Sequence, residues 1–168
     1  LTTGYATDVE AAIPEGSTTL VLIATDGGDS YECDHADWIN PVVTLADGTT
    51  IDLTEQGYVH GTCGWGSIHT NKNLNGGTLT IDGKTYKKGF ATYANSMLLF
   101  DLPENAVKFT ARAGLDKTGT DQGSKSSVEF MVFTEDPTYR EEVTDGNAGS
   151  KVLRVDPAKQ IATSGLVS

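Results

Sequence analysis

Apolar residues recur at every second position over short stretches of this chain, and that period restricts it to strands. Val128, Phe130 and Val132 alternate with Glu129, Met131 and Phe133, and Val107, Phe109 and Ala111 alternate with Lys108, Thr110 and Arg112. Successive side chains of a strand point to opposite faces, so each pattern predicts a half-buried or sandwiched strand. Residues 18–24 are almost continuously apolar, which predicts a buried strand. Shorter candidates are residues 42–45, 50–53, 78–81, 97–102 and 151–155. No long amphipathic helical repeat interrupts them. Residues 157–162 offer little more than one helical turn, with Asp156 as cap and Pro157 at its first position.

Turn chemistry separates the strands. Ala46-Asp47-Gly48 and Ile81-Asp82-Gly83-Lys84 each carry an Asp-Gly hairpin signal, and Asn75-Gly76-Gly77 and Leu102-Pro103-Glu104-Asn105 are further turns. Many short strands with Gly-rich turns predict an all-β chain, an antiparallel β-sandwich of the jelly-roll type. A chain of 168 residues suits one domain with a substantial core, and no repeat or linker divides residues 1–168. The charged, Gly-containing residues 136–150 predict a mobile loop before a last strand, and residues 163–168 a frayed end.

The formal net charge of -11 argues against nucleic acid, whose phosphates need clustered Lys and Arg. A neutral ligand or a cation fits better. No stretch approaches the roughly 18 consecutive apolar residues of a membrane span. The start has neither an initiator Met nor a signal-like segment, so the chain is expected to be an excised fragment or a processed product.

Two motifs concentrate the chemistry. Asp34-His35-Ala36-Asp37-Trp38 follows the Gly-rich turn Asp26-Gly27-Gly28-Asp29, and a second indole lies between glycines in Gly64-Trp65-Gly66. An indole can stack on the apolar face of a pyranose while Asp, Asn and His groups hydrogen-bond its hydroxyls. An indole can also cap a sandwich core. Glycines on both sides of Trp65 predict an irregular, exposed loop, where a rigid scaffold usually carries function. Trp65 and Trp38 are the candidate stacking residues. His35 and Asp37 are candidate sugar-binding groups or, alternatively, a local polar network fixing the corner. Tyr31, Tyr58 and Tyr93 are candidates for a shallow platform. Asn71, Asn73 and Asn95 are candidate hydrogen-bonding groups, with a turn-stabilising role as the alternative for Asn95.

Asp26, Asp29 and Asp34 lie close together in a Gly-containing loop of the kind that supplies Ca²⁺ with carboxylate and carbonyl oxygens. The EF-hand pattern is absent, residues 116–121 form an alternative acidic loop, and a solvated acidic turn is the plainer reading. Cys33 and Cys63 each lie beside a Trp motif. A disulfide would staple the two loops in an exported protein, and two reduced thiols are the alternative. Two cysteines thirty residues apart form no C-x-x-C zinc pair. Cys33, His35 and Asp37 superficially name a nucleophile, a base and an acid, but triad members normally converge from distant segments. No G-x-S-x-G, phosphate-binding Gly loop or H-E-x-x-H occurs, so the expectation is a noncatalytic chain.

Taken together, Ala24-Thr25-Asp26-Gly27-Gly28-Asp29, Asp34-His35-Ala36-Asp37-Trp38, Gly64-Trp65-Gly66, Lys88-Gly89-Phe90-Ala91-Thr92-Tyr93-Ala94-Asn95-Ser96 and Gly114-Leu115-Asp116 resemble the NPCBM type. These are carbohydrate-binding modules of family 98 and related glycoside hydrolases, grouped with family 51 carbohydrate-binding modules. The resemblance covers about residues 18–134. Two features depart from it. The Asp-His-Ala-Asp-Trp segment comes first instead of near the end, which resembles a circular permutation, and Tyr93 stands where the family tends to have His. The resemblance implies a jelly-roll sandwich, recognition of galactose-type or other glycans, a structural Ca²⁺ and no catalysis by the module. The expected function is therefore a noncatalytic carbohydrate-binding module of a secreted or cell-surface bacterial glycoside hydrolase. Its partners would be a glycan and a neighbouring catalytic domain. The alternative is an adhesion, protein-interaction or structural sandwich without sugar binding.

Overall fold

The computed structural model describes residues 6–26, 34–120, 127–143 and 150–167. The first half of the chain supplies β1 (Ala6–Ala12), β2 (Thr19–Thr25), β3 (His35–Leu45), β4 (Thr50–Asp52), the single-turn helix α1 (Leu53–Gln56), β5 (His60–Thr62), β6 (His69–Thr70), β7 (Leu79–Ile81) and β8 (Lys84–Tyr86). The second half supplies β9 (Gly89–Tyr93), β10 (Ser96–Asp101), β11 (Ala106–Leu115), the single turn α2 (Lys117–Thr120), β12 (Val128–Phe133), β13 (Thr138–Val143), β14 (Ser150–Val155) and β15 (Ala162–Val167). One sheet runs β1-β11-β3-β9-β6, with β4 paired to the far half of β3. The other runs β15-β12-β2-β10-β5. All pairings within both sheets are antiparallel, as the alternating patterns predict.

The main core lies between the sheets. Leu20, Leu22 and Ala24 of β2 point into it and meet Trp38 and Phe109 of one sheet and Phe100 and Phe130 of the other. The Trp38 indole lies edge-on to Phe130 at 5.0 Å and to Phe109 at 6.2 Å, so it bridges the layers. Each large apolar side chain buried this way contributes about 1.5–3 kcal/mol. The opposite face of β2 is apolar too. Val21 and Ile23 are buried with Met131 and Phe133 in a second cluster, which explains the uninterrupted apolar run of the sequence.

A third cluster sits on the outside of the six-stranded sheet. There the β7–β8 hairpin lays Leu79 and Ile81 over Ile39 and Ala91. Its turn uses positive φ at both Asp82 (50°) and Gly83 (76°), the geometry that an Asp-Gly pair in a two-residue hairpin adopts most readily. No helix among the described residues is long and apolar enough to cross a membrane.

Four local expectations are corrected. Asp34-His35-Ala36-Asp37-Trp38 is not a corner: His35 to Trp38 begin β3, the middle strand of the larger sheet. Asn40-Pro41 disguised that strand. Asn40 has φ of 48° and the β3–β11 register shifts beside it, a bulge of the kind that tolerates Pro inside a sheet. A second shift, between Ala106 and Lys108, turns Val107 outward to 42% exposure instead of inward with Phe109. Residues 138–143, expected within a mobile loop, are β13. Residues 163–167, expected to fray, belong to β15, which pairs with β12. The predicted turn after Asp156 is present: Asp156 Oδ1 accepts from Ala158 N at 3.0 Å and caps the 3-10 turn Pro157–Lys159.

Candidate functional site

The β9–β10 connection, Ala94-Asn95, ties together one end of the sandwich. Ala94 N donates to the Asp34 carbonyl at 3.1 Å, just before β3. Asp26 N, just after β2, donates to Asn95 Oδ1 at 3.0 Å, and Asn95 Nδ2 lies 3.5 Å from Asp26 Oδ2. Gly64 N, in the β5–β6 loop, donates to the Tyr93 carbonyl at 2.9 Å. Gly64 is packed so closely on this connection that a Cβ there would collide with the Ala94 carbonyl. The backbone on which Trp65 rides is thus pressed onto the end of β9.

Trp65 projects from that loop with 70% of its surface exposed. Its ring centroid lies 5.9 Å from that of Tyr93, at an interplanar angle of 58°. Tyr93 pairs across the strands with His35, and those two rings lie 5.3 Å apart. Trp65, Tyr93 and His35 therefore form a descending row from solvent into the sheet, with exposed Asn95 and half-buried Asp26 beside it. An exposed indole flanked by a phenol, an amide and a carboxylate can stack on an apolar ligand face and exchange hydrogen bonds with hydroxyls. Cys63 stands half-buried at the base of the loop, its Sγ 3.3 Å from the Trp65 carbonyl and 3.4 Å from that of Gly66. Burial raises its pKa, partly offset by backbone hydrogen bonds from Trp65 and Tyr93.

The remaining candidates fall elsewhere. Trp38 is fully buried in the core, so it seals the sandwich instead of meeting a ligand. Asp37 is also fully buried, on the outer face of β3 next to Ile39 and beneath the β7–β8 hairpin. His35 is only 6% exposed and supports Tyr93 from below. Asn73 is spent on its own turn, accepting from Asn75 N and Gly77 N and donating to the Thr78 carbonyl. Asn71 Oδ1 accepts from Gly89 N at 3.0 Å, and Tyr58 packs edge-on against Phe90. Tyr31, Asp29 and Cys33 lie outside the described residues, and with them the Cys33–Cys63 pairing.

Asp37 and Asp116 form a buried carboxyl pair that sequence reading missed. Asp116 accepts three hydrogen bonds: from Thr118 N at 3.0 Å and Thr118 Oγ1 at 2.9 Å on Oδ1, and from Thr80 N at 3.2 Å on Oδ2. Neither Asp37 oxygen accepts a hydrogen bond among the described residues. Its pKa is pushed well up, first by burial and then by the neighbouring Asp116 carboxylate. Burial and the neighbouring Asp116 thus favour the protonated form of Asp37. His35 Nδ1 lies 2.7 Å from Thr118 Oγ1, and burial lowers the His35 pKa against an opposing pull from Asp116. Asp-Lys-Thr at 116–118 is a legible turn signature, since Asp47-Gly-Thr49 and Asp52-Leu-Thr54 make the same bonds. Its reach to His35, 83 residues away in the chain, is not legible.

The residues described do not by themselves compose the calcium site that the resemblance implies. Asp26 and Asp34 both flank the Ala94-Asn95 connection. Two carboxylates fall short of six to eight oxygens, and no group of three or more His, Cys, Asp or Glu among the described residues is arranged to hold a metal ion. Of the alternative loop at 116–121, residue 121 lies outside the described residues, and Asp116 accepts from Thr118 and Thr80.

The model of the NPCBM/NEW2 domain matches residues 49–163, so the chain belongs to that family, which is of the carbohydrate-binding-module type. No curated protein and no solved structure matches the chain. The matched stretch begins after β3. The middle strands of both sheets, β2 and β3, therefore come from residues that precede it.

Proposed function

We propose that this NPCBM/NEW2 domain is a noncatalytic carbohydrate-binding module whose ligand stacks on Trp65. Tyr93 would flank the sugar, and Asn95 and Asp26 would hydrogen-bond its hydroxyls. The observation that carries this reading is the contrast between the two indoles. Trp38 is fully buried, whereas Trp65 is 70% exposed on a loop hydrogen-bonded to the end of β9. A large apolar ring held in water on a docked loop offers contact area to a ligand at a reduced ordering cost. By resemblance, the preferred ligands are galactose-containing glycans, and the parent protein is a secreted or cell-surface bacterial glycoside hydrolase. In that setting modest affinity suffices, because tethering raises the effective concentration of a neighbouring catalytic domain at the glycan.

A glycan array probed with the labelled chain tests the reading. Saturable binding concentrated on galactose-containing structures supports it. Silence across a broad array, together with a specific protein partner that engages the Trp65 face, would favour the adhesion alternative.

A further inference from the structure

Beneath the exposed rings lies a chain of contacts that reaches the opposite side of β3. It runs from Asp116 through Thr118 to His35, then to Tyr93 and finally to Trp65. A threonine hydroxyl carries one hydrogen. Directed at the Asp116 carboxylate, 2.9 Å away, it leaves the oxygen lone pairs for His35 Nδ1 at 2.7 Å. His35 therefore carries its hydrogen on Nδ1 and donates it to Thr118. The His35 ring is held by that bond on one side and meets the Tyr93 ring, 5.3 Å away, on the other.

We propose that Thr118 is a positioning residue of the Trp65–Tyr93 platform, acting through the orientation of His35. The proposal rests on the carbohydrate-binding reading for its consequence, since the platform is the sugar contact of that reading. Thr118 itself touches neither aromatic ring in the chain of contacts above. Its influence is to hold the imidazole against which Tyr93 leans, and Tyr93 in turn limits the tilt of the indole. A platform ordered before binding loses less freedom when it is occupied.

The discriminating variants are Thr118→Val, which keeps the branched shape and removes the hydroxyl, and Thr118→Ser, which keeps the hydroxyl. Nitrogen-15 chemical shifts of His35 report its tautomer, proton–proton contacts report the Tyr93–Trp65 geometry, and titration with lactose reports affinity. In Thr118→Val the Nδ1–H signature is lost and the Tyr93–Trp65 contacts weaken. Lactose binding falls about tenfold while circular dichroism stays that of the parent, and Thr118→Ser restores all three. Unchanged lactose affinity in Thr118→Val, with binding abolished in Trp65→Ala, overturns the positioning role and leaves the carbohydrate reading standing. If the parent chain binds no sugar, that reading fails. The tautomer and ring contacts then decide the proposal alone, and their persistence in Thr118→Val overturns it.

Discussion

Trp65 and Tyr93 stand 5.9 Å apart, centroid to centroid, and inclined by 58°, although Trp65 lies in the β5–β6 loop and Tyr93 ends β9. The pair is held by the backbone beneath it, where Gly64 N donates to the Tyr93 carbonyl at 2.9 Å. The loop that displays the indole is thereby docked on the strand that displays the phenol.

Gly64 is the sensitive point of that docking. A Cβ at this position meets the carbonyl of Ala94, a backbone atom that cannot step aside cheaply. Gly64→Ala is expected to lift the Trp65 loop away from Tyr93. Thermal or denaturant unfolding should show a loss of about 1–3 kcal/mol, typical of overpacking. Lactose titration should show a larger proportional loss of affinity than any surface substitution remote from the loop.

Trp38 gives the opposite profile. Its indole is fully buried between Phe109 and Phe130. Trp38→Ala is expected to cost about 3–5 kcal/mol of unfolding free energy, the range for truncating a large core aromatic. Chemical denaturation checks this. Where the variant still folds, its sugar affinity should remain near that of the parent.

Asp37 sets a pH dependence. Its folded-state pKa is raised above the unfolded value by burial and by Asp116. The folded state therefore binds more protons than the unfolded state between those two pKa values, and stability falls as pH rises through that window. The stabilising contribution is complete below the unfolded pKa, near the ordinary carboxylate value of 3.8, and is lost as pH rises through the folded pKa. Asp37→Asn replaces the acid with an amide that can donate to Asp116 without titrating. Denaturant unfolding across pH should show a flatter profile and greater stability than the parent at the alkaline end.

The sandwich was legible because alternating residues such as Val128, Phe130 and Val132 carry their burial in their spacing. The exposed indole was legible for a similar reason, since glycines on both sides of Trp65 rule out a regular strand. Asp37 was not legible. Its neighbours in the sequence made a polar motif, whereas its burial depends on Leu79 and Ile81 folding over β3 from a distant hairpin. The same holds for Trp38, which only the pairing of β3 with β9 and β11 turns toward Phe130. The bulge at Asn40-Pro41 hid the continuity of β3, because Pro normally argues against a central strand.

The family match also makes a prediction about folding. Residues 49–163 contain neither β2 nor β3, the middle strands of the two sheets. A fragment limited to the matched range exposes both flanks of the core, and in particular leaves Phe109 and Phe130 without Trp38. It is expected to give collapsed amide proton dispersion and no cooperative thermal transition, whereas the 168-residue chain is expected to give wide dispersion and a cooperative transition.

The central claim is that Trp65 is the sugar-stacking residue of the domain, and calorimetric titration of the parent chain and Trp65→Ala with a galactose-terminated oligosaccharide tests it most directly. The exposed position predicts a stability change within about 0.5 kcal/mol. The stacking role predicts an affinity loss of about 2 kcal/mol or more, roughly thirtyfold. Saturable binding by the parent that survives unchanged in a folded Trp65→Ala variant would contradict the account.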